Sequence, residues 1–278
     1  MKKARLLKIS FFCLFAIKLS SFGFGLEIDN LFYINQTLGK EVGNINSHTS
    51  LDSFLIIPIN DYNLTFIDTR GHSLYANRWA GNIGVGTRNF VSSDFYIGTN
   101  LFYDFRKDRR FFQQMGIGTE LLSDYFNIRL NGYFPMGDKN QTSSTYRYYY
   151  PGNFFAKCKT QRRVLAGFDF SVEYNLKNLN IPYNIYTDIG YYYYKNKCNC
   201  KKINGIQLGL NAYLPLGINL EGGFSYDRVY KCNSYITIGF NFLFGSNTFF
   251  NGDNLYRPFK RRQIMIESKK YCDWFYNW

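Results

Sequence analysis

Eight charged residues lie inside runs that are otherwise apolar, aromatic or small: Arg88, Arg129, Asp104, Glu120, Asp169, Glu173, Asp188 and Glu221. A charge in such company needs a partner, and acid–arginine networks supply one. Two chemistries fit. Either the charges form a structural network that fixes a lumen and holds something inside it, or they line an ion path. With acids in excess over arginines, an open path prefers cations. A late basic cluster, Arg257, Lys260, Arg261 and Arg262, is suited to fill and neutralise that lumen.

Catalysis finds little support. The two histidines are His48 and His72, and the second lies in TRGHSLYANRW, read as an external loop without a matching acid–serine pair. The Gly-x-Gly pairs sit in mid-strand with no helix after them, so they mark curvature or small lumen positions, not phosphate cradles. The reading is therefore non-enzymatic, with no cofactor. Of six cysteines, Cys13 falls in the leader, Cys158, Cys198, Cys200 and Cys232 in external connections, and Cys272 in the tail. Export permits disulfides. Five is odd, so the cysteines form loop-to-loop bridges with one thiol left over, or cross-link to neighbouring envelope proteins. Cys198-Asn-Cys200 is flanked by Lys197, Lys201 and Lys202, which oppose a bound cation, so no metal site is expected. Nucleic-acid binding is not indicated by basic residues confined to exported connections.

The elements that carry the charges read at a period of two, which means strands. Ile83, Val85 and Thr87 alternate with Gly84, Gly86 and Arg88, and Phe95, Ile97, Thr99, Leu101 and Tyr103 with Tyr96, Gly98, Asn100, Phe102 and Asp104. The pattern continues through 115–121, 126–134, 164–176, 183–194, 203–215, 218–227 and 234–244. Weaker or shorter strands are placed at 26–38, 53–59 and 63–69. One face is apolar and aromatic; the other carries Gly, Asn and isolated charges. The 278 residues include 25 Tyr and 28 Phe. Past the first 25 residues no apolar run approaches the roughly 18 residues of a spanning helix. These features predict an all-β fold: a transmembrane up-and-down antiparallel β-barrel of about twelve strands, of outer-membrane type.

Residues 1–25 read as a signal peptide, with Lys2, Lys3, Arg5 and Lys8 ahead of an apolar stretch and small Gly23 and Gly25 at its end. The barrel is placed at 26–245 and a linker or plug tail at 246–278. Short joins (60–62, 92–94, 123–124, 177–182, 215–217) alternate with longer ones (39–53, 70–81, 106–112, 135–163, 195–202, 227–233). An even strand number with short periplasmic turns puts both termini inside. The longer joins are basic, with Arg106, Lys107, Arg109, Arg110, Lys195, Lys197, Lys201 and Lys202, while strands and short turns are net acidic. Such loops suit anionic lipopolysaccharide beside outer-membrane lipid, or acidic polymers on a host surface. A monomer is expected.

GVGTRNF, GTNLFYDF, GIGTELLSDY and LNGYFP within 84–135 resemble the β-domain of inverse autotransporters, the intimin and invasin family. The resemblance extends through SLDSFLIIPI, GFDFSVEYNL, GLNAYLPL and RRQIMIESKK, so it spans roughly 50–270. It implies a twelve-stranded outer-membrane barrel whose following segment threads the pore and carries an adhesive passenger. TIGFNFLF, with Thr237, Gly239, Phe242 and Phe244, is similar to the terminal-strand signal read by the barrel-assembly machinery. The chain departs from the family after Phe244, where 34 residues follow. Extended, they reach about 110 Å, enough to cross a membrane but too few for a folded adhesive domain. The expectation is a surface-exposed, adhesion-related barrel without a folded passenger. The alternative is a porin-like pore or structural envelope protein with disulfide-linked loops.

Overall fold

The computed structural model describes residues 29–43, 45–60, 62–75, 78–92, 94–108, 111–137, 140–151, 154–177, 183–195, 202–244 and 253–277. The first strands are β1 (Asp29–Glu41), β2 (Ile45–Asn60), β3 (Asn63–Leu74), β4 (Arg78–Ser92), β5 (Phe95–Lys107), β6 (Phe111–Ser123) and β7 (Phe126–Met136). Two strands, β8 (Asn140–Tyr150) and β9 (Phe154–Val164), then leave the series. It resumes with β10 (Ala166–Asn175), β11 (Asn184–Lys195), β12 (Ile203–Tyr213), β13 (Ile218–Asp227) and β14 (Lys231–Phe244). β7 pairs directly with β10, and β1 closes on β14, giving a closed twelve-stranded antiparallel barrel. A final strand, β15 (Glu267–Asn277), joins β9 and β8 in a separate three-stranded sheet.

Alternation decides which way each side chain faces. Ile83, Val85, Ile97, Leu101, Ile117, Leu130, Ile189, Leu208, Ile236 and Ile238 are exposed on the outside. Their neighbours Asn82, Arg88, Asn100, Asp104, Glu120, Arg129, Asp188 and Thr237 are buried inside. This inside-out arrangement is favourable only where hydrocarbon meets the outer face. Closure leaves no barrel edge, so each barrel strand is paired on both sides. Gly39, at φ +103°, lets β1 bulge between Thr37 and Lys40; a side chain there would press on Tyr235 Cα at 3.0 Å.

Several expected boundaries move. The first strand, placed at 26–38, runs over Asp29–Glu41, and 39–53 is not a loop but mostly β2. Its polar residues His48, Ser50 and Asp52 face the lumen, so polarity there does not mark the end of a strand. Likewise β3 continues to Leu74, β4 starts at Arg78, and β5 runs to Lys107. The connections at 42–44, 75–77, 108–110 and 228–230 are then as tight as those at the opposite end. Of the predicted long joins, only the β8–β9 insertion and the seven residues between β11 and β12 remain long. Strands emerging beyond the lipid need no apolar outer face, so their ends carry the polarity of loops. Val164 ends β9 and packs in a buried cluster with Phe112 and Met265, instead of opening β10.

Candidate functional site

The lumen holds the chain's own tail. From Asp253, whose carboxylate accepts from Leu255 N at 3.0 Å, a single 3-10 turn (Asn254–Tyr256) leads into extended chain as far as Ile266. An extended segment inside a closed barrel has no ladder partner, so wall side chains must satisfy its backbone. Arg88 Nη1 donates to the Leu255 carbonyl, and Arg70 Nη2 to that of Phe259 at 2.7 Å. Asn131 Nδ2 donates to the Lys260 carbonyl at 3.2 Å, and Asn82 Nδ2 to that of Gln263 at 2.8 Å. Arg106 Nη1 reaches the Met265 carbonyl at 3.0 Å. In return Arg262 N donates to Tyr133 Oη at 2.7 Å. Leu165 N donates to the Ile266 carbonyl at 3.1 Å, at the point where β9 gives way to β10. The tail therefore enters near the β14 terminus and leaves where β8 and β9 leave the barrel.

Charge fixes it further. Arg88 Nε lies 2.6 Å from Glu120 Oε1, and Arg129 bridges Glu120 at 3.5 Å to Glu173 at 2.8 Å. Glu173, with no exposed side-chain surface, also pairs with Arg257 and, at 3.3 Å, with Lys260 of the tail. Lys260 Nζ reaches Asp188 at 2.5 Å. Arg261 forks onto Asp104 at 2.6 and 2.7 Å, and Arg262 bonds Gln207. Each ion alone in this enclosure would cost several kcal/mol, so alternating signs are what make burial tolerable. Asp169 is held instead by Asn131 at 2.8 Å and the Tyr133 hydroxyl at 2.6 Å, and Glu221 by the Tyr235 hydroxyl at 2.8 Å.

Two apolar layers bracket these charges. Phe259 wedges among Phe54, Phe66 and Phe102, with ring centroids 5.9, 5.7 and 6.2 Å away. Leu31, Tyr33, Ile56, Tyr186 and Tyr213 complete that layer. Towards the other end, Ile266 packs with Val42, Tyr133, Leu165, Tyr192, Tyr194 and Ile203. Beside the tail a polar cavity of about 140 Å³ remains, lined by Asn35, Thr37, Glu41, Ser50, Glu221 and Tyr235 among others. The arrangement can close a pore and hold a strand through it.

Other predicted residues fall elsewhere. Arg106 is buried in β5 and not in an external loop, while Lys107, Lys195 and Lys202 are exposed at or beside strand ends. Arg109, Arg110, Lys197, Lys201, Cys198 and Cys200 lie outside the described residues, as does the leader. His72 is buried in β3 with Nε2 2.8 Å from Asn82 Oδ1, and its ring meets that of His48 edge-on at 5.9 Å; it is no exposed loop histidine. Cys232 is an exposed free thiol within β14, opposite Tyr226. Cys158 lies opposite Tyr146 and Asp273, and Cys272 opposite Lys159, so these two cysteines are offset by one residue across β9 and β15. Thr237 and Gly239 face the lumen, Thr237 Oγ1 lying 2.8 Å from Thr37 Oγ1. Phe242 stacks on Phe32 at 5.4 Å, and Phe244 ends β14 opposite Asn30. The pair Asp68–Arg70 (2.6 Å) and the wedge Phe259 were missed. Continuing the period of two from Phe66 through Asp68 and Arg70 to His72 would have found the first.

The chain is similar in fold to a structure solved in work on the in-meso crystallization of membrane proteins, at 19% identity and a TM-score of 0.65, covering 86% of this chain and 100% of that one. It also matches the translocator domain of autotransporter NalP from Neisseria meningitidis at 10% identity and a TM-score of 0.30, covering 87% and 97% of the two chains. Among curated proteins no match is found. Residues 26–211 match the family model for the inverse autotransporter β-domain. With that match over most of the barrel, the chain belongs to the inverse autotransporter β-domain family.

Proposed function

We propose that this outer-membrane barrel, exported by its leader, anchors a surface-exposed, adhesion-related structure without itself being an enzyme. It holds the segment after β14 through its lumen and presents the β8–β9–β15 sheet outside the cell. The single observation that supports this reading is the course of the tail. It starts at the end where β14 finishes, crosses the barrel in contact with three wall arginines and three wall acids, and pairs at the opposite end with β9 over eleven residue positions. In this reading the working surface is that sheet and the connections around it, and no folded passenger is needed.

The rival reading is a porin-like pore or a structural envelope protein. Reconstitution separates the two. The full chain in a planar bilayer is expected to be silent, and a chain lacking 246–278 to conduct. On intact cells, trypsin is expected to cut within β8, β9 or β15. An open full-length pore, or a sheet protected from external protease, overturns the proposal.

A further inference from the structure

Two imidazoles in the lumen are each left with one bare nitrogen. His48 of β2 and His72 of β3 are both buried, and they are diagonal neighbours, since Ser50 stands directly opposite His72. Diagonal neighbours across an antiparallel pair lie within reach of ring side chains. Asn82 fixes the proton on His72. Its Nδ2 donates to Asp104 Oδ1 at 2.7 Å and to the Gln263 carbonyl at 2.8 Å, which leaves its Oδ1 for His72 Nε2, 2.8 Å away. That oxygen only accepts, so Nε2 carries the hydrogen and Nδ1 a lone pair. Nδ1 is buried and has no hydrogen-bond partner among the described residues. His48 repeats the arrangement. Its Nδ1 lies 3.4 Å from the Asn46 carbonyl, again an acceptor, so Nε2 holds the lone pair.

We infer that His48 and His72 form a binding site for a divalent transition-metal cation (zinc, copper or nickel) in the wall of the lumen. A histidine that ligates a metal gives its other N–H to a carbonyl or carboxylate, which sets the tautomer and orients the ring. Both rings already do so. Their centroids stand 5.9 Å apart with the planes inclined at 73°. Two imidazoles sharing one ion at its usual Zn–N distance have ring centres roughly 5–6.5 Å apart. A proton on His72 Nδ1 would find no acceptor, whereas an ion there finds a second imidazole. Arg70 and Arg261 act on His72 through space, but each is matched by its own carboxylate, Asp68 and Asp104. Imidazole favours zinc, copper and nickel over the oxygen-seeking magnesium and calcium. Among the described residues no third His, Cys, Asp or Glu joins the pair, so water completes the shell. His48 borders the polar cavity of about 140 Å³, which has room for water at ~30 Å³ a molecule. Open positions make the site exchangeable, unlike a closed structural one. Because Asn82 also holds the tail at Gln263, an ion on His72 steadies the amide that grips the plug. The site depends on the lumen and not on what lies outside the cell.

The test uses the full chain in detergent, untagged, stripped with EDTA and with its thiols blocked by iodoacetamide. Titrated with zinc chloride, wild type is expected to take up one ion per chain. His48→Gln and His72→Gln should each weaken that uptake tenfold or more. Copper(II) in place of zinc should show two imidazole nitrogens by electron paramagnetic resonance, and one in either variant. Zinc should also raise the heat-modifiability midpoint of wild type and leave that of His48→Gln unmoved. Should His72→Gln not fold, His48→Gln, whose ring only borders the cavity, carries the comparison. No uptake by wild type, uptake unchanged in a folded His48→Gln barrel, copper held through a single nitrogen, or an equal midpoint rise in both chains overturns the inference.

Discussion

Arg261 of the tail and Asp104 of β5 meet fork to fork, at 2.6 and 2.7 Å, between the rings of Phe102 and Tyr133. Among the described residues neither has a second ion pair, so the pair is where the tail is most simply uncoupled from the wall.

Removing one partner of such a buried pair leaves an uncompensated charge, at a cost of about 3–5 kcal/mol. Asp104→Asn and Arg261→Gln should each lower the heat-modifiability midpoint seen on SDS gels. The double variant should fall by about 1–3 kcal/mol less than the sum. Strict additivity would mean the two residues do not act together.

Phe259 fills a hole among three phenylalanines, and truncation to Ala leaves most of that volume empty. The expected loss is about 3–5 kcal/mol in unfolding experiments, with brief current openings in bilayers. Unchanged stability would show that Phe259 is not seated in the barrel.

Gly86 gives that ring its room: a side-chain carbon there would come within 2.5 Å of Phe259 Cζ and 2.7 Å of the Thr99 carbonyl. Gly86→Ala should displace the tail and strain the β4–β5 ladder at Thr99. The readout is proteolysis of 246–278 in folded, heat-modifiable protein. Protection equal to wild type would count against the seat.

Deleting 246–278 removes Arg257, Lys260, Arg261 and Arg262 and leaves Asp104, Asp169, Glu173, Asp188 and Glu221 on the wall. The emptied pore should prefer cations, and Glu173→Gln in that background should reduce the preference. Reversal potentials in a potassium chloride gradient measure both; anion selectivity would contradict this account of the lumen.

Much of this was legible in the sequence where lipid imposes the pattern. Ile97, Leu101 and Tyr103 must be apolar, which places Asp104 on the opposite, buried face. Beyond the lipid that constraint lapses, so the sequence around Arg70, His72 and Arg106 reads as loop though each is buried in a strand. The tail offered no period at all. Arg257, Phe259, Arg261, Ile264, Met265 and Ile266 are all buried, since a chain enclosed on every side has no solvent face to mark. The pairing of β15 with β9 joins residues more than a hundred positions apart and depends on a route through the pore, which no local pattern encodes.

That route has a mechanical corollary. The last strand is knitted to β9 on the far side of the membrane from the point where β14 ends, so the thread between them is captive, tethered at Phe244 and at Glu267. Snapping any single ionic contact in the channel loosens the thread without freeing it. Retreat requires unzipping an entire strand, and a pull from outside is borne first by the sheet and only afterwards by the wall.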